Sequence, residues 1–340
     1  MNIVHFGDCR DSLRKMTADG VKVQMCVTSP PYYGLRDYGH DGQIGMEETP
    51  EQFIAALVEV FQCVRDVLAD DGVLWVNMGD SYASAPKNRS PEQSTLNTGL
   101  SGGLGTQTSI LKQINKITGE LKAKDLIGIP WMLAFALRAD GWYLRKDIIW
   151  NKPNPMPESV TDRPTSSHEY IFLLSKQPTY FYDHEAIKEK GVSTDLRPSA
   201  LDRGREFGYD SKESKMPRPQ ASKPDKQRGH SRRHAGFNDR WDAMEKAEQC
   251  SGMRNKRSVW TVATKPYTGA HFATYPPELI EPCILAGSRP GDIVLDPFFG
   301  SGTTGQVAMQ LGRQYIGCEL NPAYEALQLE RTRQPSLEFA

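Results

Sequence analysis

The chain has 340 residues, of which 38% are hydrophobic, and a net charge of −1 at pH 7. This length is enough for one large domain that carries an insertion. Averaged over the chain, the charge argues against a nucleic-acid binder, although its distribution matters more than its sum. No apolar run approaches the roughly 18 residues of a membrane span, and the N-terminus lacks a signal-peptide pattern, so a cytoplasmic location is expected.

The cysteines favour buried thiols over a zinc site or disulfides. They form no C-x-x-C pair, and most of them stand inside apolar segments. The sequence therefore predicts no metal. The six cysteines are Cys9, Cys26, Cys63, Cys250, Cys283 and Cys318.

Apolar segments of strand length alternate with helical patterns such as Phe53–Leu68 and Pro130–Arg138. This alternation predicts an α/β fold with a mostly parallel sheet. In such sheets, ligands bind beyond the carboxyl ends of the strands. The predicted strands are Ile3–Phe6, Gln24–Thr28, Val73–Asn77, Asp147–Trp150, Ile171–Ser175, Ile293–Asp296 and Tyr315–Cys318.

A stiff polar turn follows the second predicted strand, in the tetrapeptide Ser29-Pro30-Pro31-Tyr32. The two prolines fix an extended turn whose carbonyl groups point outward. The Ser29 hydroxyl and the Pro30 carbonyl can both accept hydrogen bonds from one exocyclic amine, and Tyr32 offers a ring on which a nucleobase can stack. Taken alone, the tetrapeptide is equally compatible with an ordinary strand-to-loop turn.

Two polar segments interrupt the pattern of strands and helices. The first begins at Ala83 and predicts a mobile loop over residues 83–122 beside the pocket, with plain disorder as the alternative that its composition favours. The second includes residues 211–240, where nine Lys and Arg stand against three acids, a net charge of +6. This composition suits either a segment that orders on a phosphate backbone or a solvated insertion without a partner.

Near the C-terminal end, a strand leads into a glycine-rich turn, a helix from about Thr304 to Leu311, and a second strand. The glycines of this turn fit the G-x-G-x-x-G spacing that lets the backbone approach a ligand; they are Gly300, Gly302 and Gly305. Glu319 lies close to the ~20-residue offset of an acid that binds ribose hydroxyls. This context favours a nucleoside-cofactor site over a structural glycine turn.

Together, the early tetrapeptide and the late loop Phe298-Phe299-Gly300-Ser301-Gly302 resemble a known family. These are the amino-methylating DNA methyltransferases that use S-adenosylmethionine, in the circularly permuted order called the β group. There, a [DNS]-P-P-[YFW] tetrapeptide comes first, a target-recognition segment lies in the middle, and an F-x-G-x-G cofactor loop comes last. The resemblance covers most of the chain outside roughly residues 83–122 and 185–257. It implies a Rossmann-like methyltransferase fold with an inserted DNA-recognition segment.

The resemblance implies a role for each part of the site. The catalytic motif is Ser29, Pro30, Pro31 and Tyr32, with Tyr32 stacking on a base flipped out of the duplex. Glu319 takes the ribose hydroxyls, Asp8 the adenine, and Asp296 with the loop after it the methionine part. An N-cap of the helix that begins near Arg10 is the alternative role for Asp8. The implied cofactor-binding residues are Asp8, Asp296, Phe298, Gly300, Ser301, Gly302, Thr303 and Glu319.

The resemblance also implies how the chain is divided. Residues 1–182 form the catalytic half, residues 183–257 the target-recognition insertion, and residues 258–340 the cofactor-binding half of the same domain. The basic segment then falls where the family keeps its target-recognition region, which favours contact with DNA.

The expected reaction is methyl transfer to an exocyclic amine of a flipped-out base in double-stranded DNA. Within the family, Ser at the first tetrapeptide position is more typical of cytosine-N4 enzymes and Asp of adenine-N6 enzymes. Cytosine N4 is therefore expected, with adenine N6 as the alternative. Methylation at carbon 5 needs a cysteine nucleophile, and the only Pro-Cys pair, Pro282-Cys283, lies in a predicted helix.

Two other classes of function account for less of the sequence. A nicotinamide-dependent oxidoreductase gives no role to the tetrapeptide, and a non-catalytic DNA-binding protein leaves both pocket motifs without one. The family resemblance allows a monomer or a homodimer, and a cognate restriction endonuclease that acts separately. No membrane partner is expected.

Overall fold

The computed structural model describes residues 2–35, 40, 42–84, 116–190, 253–264 and 275–333. Most of the loop expected at residues 83–122 lies outside the described residues. The basic segment 211–240 and Cys250 lie outside them entirely.

The described residues form ten strands and six helices. The strands are β1 (Asn2–Phe6), β2 (Val23–Thr28), β3 (Leu68–Met78), β4 (Tyr143–Asn151), β5 (His168–Ser175), β6 (Glu189–Lys190), β7 (Met253–Arg254), β8 (Val259–Thr261), β9 (Ile293–Asp296) and β10 (Gln314–Glu319). The helices are α1 (Cys9–Ala18), α2 (Pro50–Val67), α3 (Ile129–Ala139), α4 (Pro277–Gly287), α5 (Thr303–Gln310) and α6 (Glu325–Thr332). Among the described helices, none is long and apolar enough to cross a membrane.

The chain divides into two units. The first comprises Met1–Ile187 with Arg257–Ala340, and the second comprises Lys188–Lys256. In the second unit, the described strands β6 and β7 pair antiparallel. The division of the chain into catalytic half, insertion and cofactor half stays a prediction.

The first unit contains an eight-stranded sheet in the order β1-β10-β9-β2-β3-β5-β4-β8. Every neighbouring pair is parallel except the two that involve β5, which runs antiparallel to β3 and β4. The predicted α/β fold with a mostly parallel sheet is therefore confirmed. Because β5 is reversed, its first residues lie at the edge where β3 and β4 end.

Side chains of the central strands alternate between two hydrophobic layers, as the two-residue period of a strand requires. Leu74 and Val76 of β3 pack with α1, α2 and α3, whereas Val73 and Trp75 pack with α4 and α5. Both faces of the sheet are thus covered, which explains why these strands read as continuous apolar runs.

Strand β3 begins at Leu68, before the predicted start at Val73. Its pairing with β2 shifts register between Val23 and Met25, and this irregularity takes up the extra residues at Asp70–Gly72. An interruption of this kind produces no apolar alternation, so the sequence pattern starts only after it.

Phe299, the third residue after β9, anchors the glycine loop to β10. Its ring stacks on Tyr315 with centroids 5.3 Å apart. A Cβ atom at Gly317 would lie 2.4 Å from this ring, and one at Gly305 would lie 2.7 Å from it. Glycine at these two positions is what allows the ring to pack between β10 and α5.

We therefore expect Gly317→Ala to destabilise the protein by about 1–3 kcal/mol, the usual penalty for overpacking a core. Urea unfolding of the variant and the parent measures this penalty. In a Phe299→Leu background the same substitution should have a clearly smaller effect, because the ring that it meets is gone. Equal penalties in both backgrounds would contradict the packing explanation.

Candidate active site

A cavity of about 890 Å³ lies where β2, β9 and β10 end, and this volume falls within the usual range of ligand pockets. The tetrapeptide Ser29–Tyr32 lines one part, and the loop residues Phe298–Ser301 line another. The structure therefore brings the two sequence motifs together in one cavity. Of the predicted site residues, Gly302 alone does not line it, and it acts instead at the start of α5.

The Asp296 carboxylate, at the end of β9, joins the two halves of the site. Its Oδ1 accepts hydrogen bonds from the Thr28 hydroxyl at 2.6 Å and the Phe298 backbone N–H at 3.0 Å. Its Oδ2 accepts from Tyr275 at 3.1 Å and Thr304 at 2.5 Å. Burial raises the pKa of Asp296, and these hydrogen bonds oppose that rise.

Asp296 thus holds other groups in place. Its acceptor positions are filled by protein donors, and the residue is only 1% exposed. The structure therefore gives Asp296 a role in positioning the loop, and its direct contact with the methionine part stays a prediction.

Glu319, at the end of β10, presents a carboxylate beside the same loop. Its Oε2 accepts a hydrogen bond from Gly300 N–H at 2.8 Å, and its Oε1 accepts one from Asn321 N–H at 2.9 Å. Burial raises the pKa of Glu319 to about 7, and the hydrogen bonds from backbone N–H groups only partly oppose this. Because these donors are neutral, a ligand that donates further hydrogen bonds would stabilise the ionised form of Glu319.

The glycine loop needs left-handed backbone at two positions. Gly300 has φ of 53° and Gly302 has φ of 88°, a region that other residues rarely adopt. The loop is also tied to α6, because Arg331 donates hydrogen bonds to the hydroxyls of Ser301, at 2.6 Å, and of Thr303. Ser301 and Thr303 are both nearly fully buried, so Arg331 fixes the loop that we expected to contact cofactor.

Asp8 caps α1 and also lines the cavity. Its Oδ1 accepts the Arg10 backbone N–H at 2.8 Å, and its Oδ2 lies 2.6 Å from the Arg10 guanidinium. The hydrogen bond from the Arg10 side chain lowers the pKa of Asp8. The N-cap alternative is thus confirmed, and contact with adenine stays a prediction.

Tyr32 is held by a polar network on the other side of the cavity. Its hydroxyl donates a hydrogen bond to Glu169 Oε2 at 2.6 Å and lies 3.4 Å from Asn77 Oδ1. Asn77 Nδ2 in turn donates to Glu169 Oε2 at 3.1 Å. Burial, and then the charge of Glu169, raise the pKa of Tyr32 well above its ordinary value. The phenol therefore stays protonated at neutral pH.

Glu169 also forms an ion pair with Lys152, and the side chains are only 14% and 17% exposed. The Lys152 ammonium lies 4.2 Å from the centroid of the Trp150 ring. Sequence reasoning missed both charged residues as members of the site. The sequence places Lys152 just after one predicted strand and Glu169 just before the next. These two positions come close together only if β5 runs antiparallel to β4.

Two cysteines, Cys9 and Cys318, line the cavity without chemistry of their own. Burial raises the pKa of the Cys9 thiol to about 12 and that of Cys318 well above its ordinary range. Neither thiol supplies a thiolate nucleophile at neutral pH. The five described cysteines are all buried, as expected, and Cys283 lies inside α4.

Residues 23–330 match the family model of the N6 and N4 methyltransferases, described as DNA methylase. The chain belongs to this family. Membership confirms S-adenosylmethionine as the cofactor and DNA as the substrate.

Curated relatives agree over almost the whole length of this DNA methylase. It is 44% identical over 326 residues to the type II methyltransferase M.Cfr9I of Citrobacter freundii, covering 96% of this chain and 85% of that protein. It is also 44% identical to the type II methyltransferase M.SmaI of Serratia marcescens, covering 96% of this chain and 88% of that protein.

Solved structures show the same fold at low sequence identity. The cytosine-N4-specific PvuII DNA methyltransferase superposes with a TM-score of 0.57 at 15% identity, covering 99% of this methylase and 88% of that chain. TTHA0409 from Thermus thermophilus, complexed with S-adenosyl-L-methionine, superposes with a TM-score of 0.52 at 22% identity, covering 98% of this methylase and 93% of that chain. At these identities the likeness supports the fold alone.

The raised pKa of Glu319 predicts pH-dependent cofactor binding by the methylase. Ribose hydroxyls donate hydrogen bonds to a carboxylate and so favour its ionised form. We therefore expect affinity for S-adenosylmethionine to fall as the pH drops below about 7, where Glu319 becomes protonated in the free protein. Calorimetric titrations between pH 6 and 8.5 measure this dependence.

The control for this prediction is Glu319→Gln, which keeps the shape and loses the titration. Its affinity should be lower at pH 8 and flatter with pH than that of the parent, so the difference between the two isolates Glu319 from titration of the cofactor itself. The pH dependence of folding stability has the opposite sign, because the pKa of Glu319 is higher in the folded protein than in the unfolded chain. Glu319 stabilises the fold fully below about pH 4.5, and this stabilisation is lost as the pH rises through about 7. Parallel pH profiles of the two proteins would contradict the assignment.

Proposed function

We propose that this methylase transfers the methyl group of S-adenosylmethionine to the N4 amine of a cytosine flipped out of duplex DNA. The observation that carries the proposal is the shared cavity, where Ser29–Tyr32 faces the glycine loop and Glu319. Ser29 at the first tetrapeptide position favours cytosine. Transfer to adenine N6 is the second candidate, because both targets are exocyclic amines that the same acceptors serve.

The cofactor side of the cavity fits an adenosyl group in its donors and acceptors. Glu319 offers a carboxylate for the ribose hydroxyls. Gly300, which has left-handed backbone, carries no side chain that would obstruct the cofactor. Phe298 also lines the cavity, and Asp8, two residues after β1, is proposed to contact the adenine. Bound there, the cofactor supplies a sulfonium methyl group, which is already a strong electrophile.

On the base side, the protein's contribution is position. The Ser29 hydroxyl and the Pro30 carbonyl accept the two N–H groups of the target amine, which aims the nitrogen lone pair at the methyl carbon. The Tyr32 ring offers a face for the base, and Glu169 fixes the orientation of that ring through its hydroxyl. Flipping the base out of the stack costs a few kcal/mol, which stacking on Tyr32 partly offsets.

We also propose that the enzyme is the modification component of a type II system, as its relatives are named, with a restriction endonuclease that acts separately. The basic segment 211–240 is proposed to contact the DNA backbone. A cytoplasmic location and a monomeric or homodimeric state stay predictions.

The proposal is tested with isotope-labelled S-adenosylmethionine and duplex DNA of mixed sequence, followed by digestion to nucleosides and mass spectrometry. We expect N4-methyldeoxycytidine. Labelled N6-methyldeoxyadenosine would support the assigned site but show that the target base is adenine. Labelled 5-methyldeoxycytidine would contradict methylation of an exocyclic amine.

We further expect Tyr32→Ala to slow methylation of that DNA roughly tenfold to a hundredfold, because stacking of a base on an aromatic ring is worth about 1–3 kcal/mol. Cofactor affinity serves as the control, since the variant leaves Glu319 and the glycine loop intact. An unchanged rate would remove the stacking role from Tyr32.

A further inference from the structure

A large apolar side chain, Met156, stands at the open end of the cavity. It is 86% exposed, more than any other large hydrophobic side chain in the part of the chain that the structure describes. It also lines the cavity, so it lies where the cavity opens to solvent. Single exposed apolar residues are ordinary on protein surfaces, but this one lies at the entrance of the active site. A base that enters the cavity therefore passes close to it.

The segment that carries Met156 is held rigidly. Pro155 and Pro157 flank it; each ring fixes its own backbone, and a residue before a proline is restricted to extended geometry. Asn154 is bound to Thr264, which follows β8. Asn154 Nδ2 donates to the Thr264 carbonyl at 2.9 Å, Thr264 N–H donates to Asn154 Oδ1 at 2.9 Å, and the Thr264 hydroxyl donates to the Asn154 carbonyl at 3.1 Å. These restraints keep the Met156 side chain in solvent.

The same segment borders the part of the cavity that we assign to the base. Lys152, just after β4, pairs with Glu169, which accepts a hydrogen bond from the Tyr32 hydroxyl at 2.6 Å. Met156 follows Lys152 by four residues. In the sheet, β4 lies on the opposite side of β2 from β9 and β10, the strands that lead into the glycine loop and end at Glu319. Met156 is therefore on the side of Tyr32, away from the cofactor loop.

Leu35 is another exposed apolar residue that lines the cavity, and it is 55% exposed. Its N–H donates a hydrogen bond to the Tyr32 carbonyl at 3.3 Å, so it belongs to the turn that carries the catalytic tetrapeptide. Met156 belongs to a separate segment, and its role can be tested without a change in that turn.

An apolar side chain at this place matches what a duplex needs when it loses a base from its stack. Flipping leaves a gap between the neighbouring base pairs, and proteins that distort DNA insert Phe, Leu, Ile, Met or Pro between base steps. Methionine suits such a gap, because its unbranched, polarizable side chain adapts to irregular apolar surfaces. A rigid backbone adds to this, since little conformational freedom is lost on insertion.

We propose that Met156 is a wedge, an apolar side chain that enters the stack of the duplex as the target base leaves it. This inference rests on the proposed function, since it requires a base flipped out of duplex DNA. Met156 is a positioning residue, because it stabilises the opened duplex and does not touch the reacting atoms.

Met156→Ala tests the wedge with a duplex in which the base that the parent enzyme methylates has been located. We expect the single-turnover rate on the normally paired base to fall roughly tenfold, which corresponds to about 1.4 kcal/mol. Met156→Leu should keep most of the parental rate, because leucine also serves as a wedge. Leu329→Ala is the matched control, since Leu329 is 65% exposed on α6 and does not line the cavity.

A mismatch opposite the target base gives a readout that a merely structural role would not change. A mismatched base is less costly to flip, so the wedge has less to contribute there. The ratio of the Met156→Ala rate to the parental rate should rise from about one tenth on the paired duplex to near one on the mismatched duplex. Because each ratio is taken on a single duplex, any effect of the mismatch on recognition cancels.

Two results would overturn the wedge: a parental rate of Met156→Ala on the paired duplex, or the same loss on both duplexes. The second result would assign Met156 a structural role in the cavity instead. Affinity for S-adenosylmethionine, measured by calorimetry, should be parental in all three variants, and a loss in Met156→Ala that matches the loss of rate would also overturn the proposal.

The parent enzyme tests the proposed function separately. Absence of any methylated amine in its DNA would overturn both proposals. A parent that produces N4-methyldeoxycytidine, with Met156→Ala as fast as Leu329→Ala on paired DNA, would support the function and reject the wedge alone.

Discussion

The active site depends on a single buried carboxylate, Asp296, which ties together segments separated by 268 positions in the sequence. An uncompensated buried carboxylate is very unfavourable, so its donors must be in place for the fold to hold. One donor, Thr28, directly precedes Ser29, and two others are Phe298 N–H in the glycine loop and Thr304 in the first turn of α5. The same bonds that satisfy the charge therefore fix the distance between the catalytic tetrapeptide and the cofactor loop.

Sheet topology adds the second wall of the cavity. The carboxyl ends of parallel strands meet at one edge, which collects Ser29, Asp296 and Glu319 from β2, β9 and β10. The reversal of β5 brings the beginning of a strand to this edge. In that register, Glu169 of β5 pairs with Trp150 of β4, and an acid from one strand meets a lysine that follows the other.

The sequence alone was enough to predict those features of the fold and site that depend on local residue patterns. Strand periodicity, proline stiffness and glycine spacing are local, so both motifs and nearly every strand of the sheet could be predicted. The partners of the polar groups could not. Whether Arg331 of α6 reaches Ser301, for example, depends on packing between elements that are not neighbours in the chain. Glu169 was missed for the same reason, because its role depends on the direction of β5.

The carboxylates Asp8 and Glu319 of the cavity differ in pKa because their hydrogen-bond donors differ in charge. Asp8 is bound by the cationic guanidinium of Arg10, which lowers its pKa and keeps it ionised whether or not a ligand is present. Glu319 is bound by neutral backbone N–H groups, which do not offset its burial, and its pKa rises to about 7. A ligand that donates hydrogen bonds completes the stabilisation of Glu319 but adds little to Asp8. Cofactor binding is therefore expected to change the protonation of Glu319 most strongly, while Asp8 and Asp296 hold the framework around it.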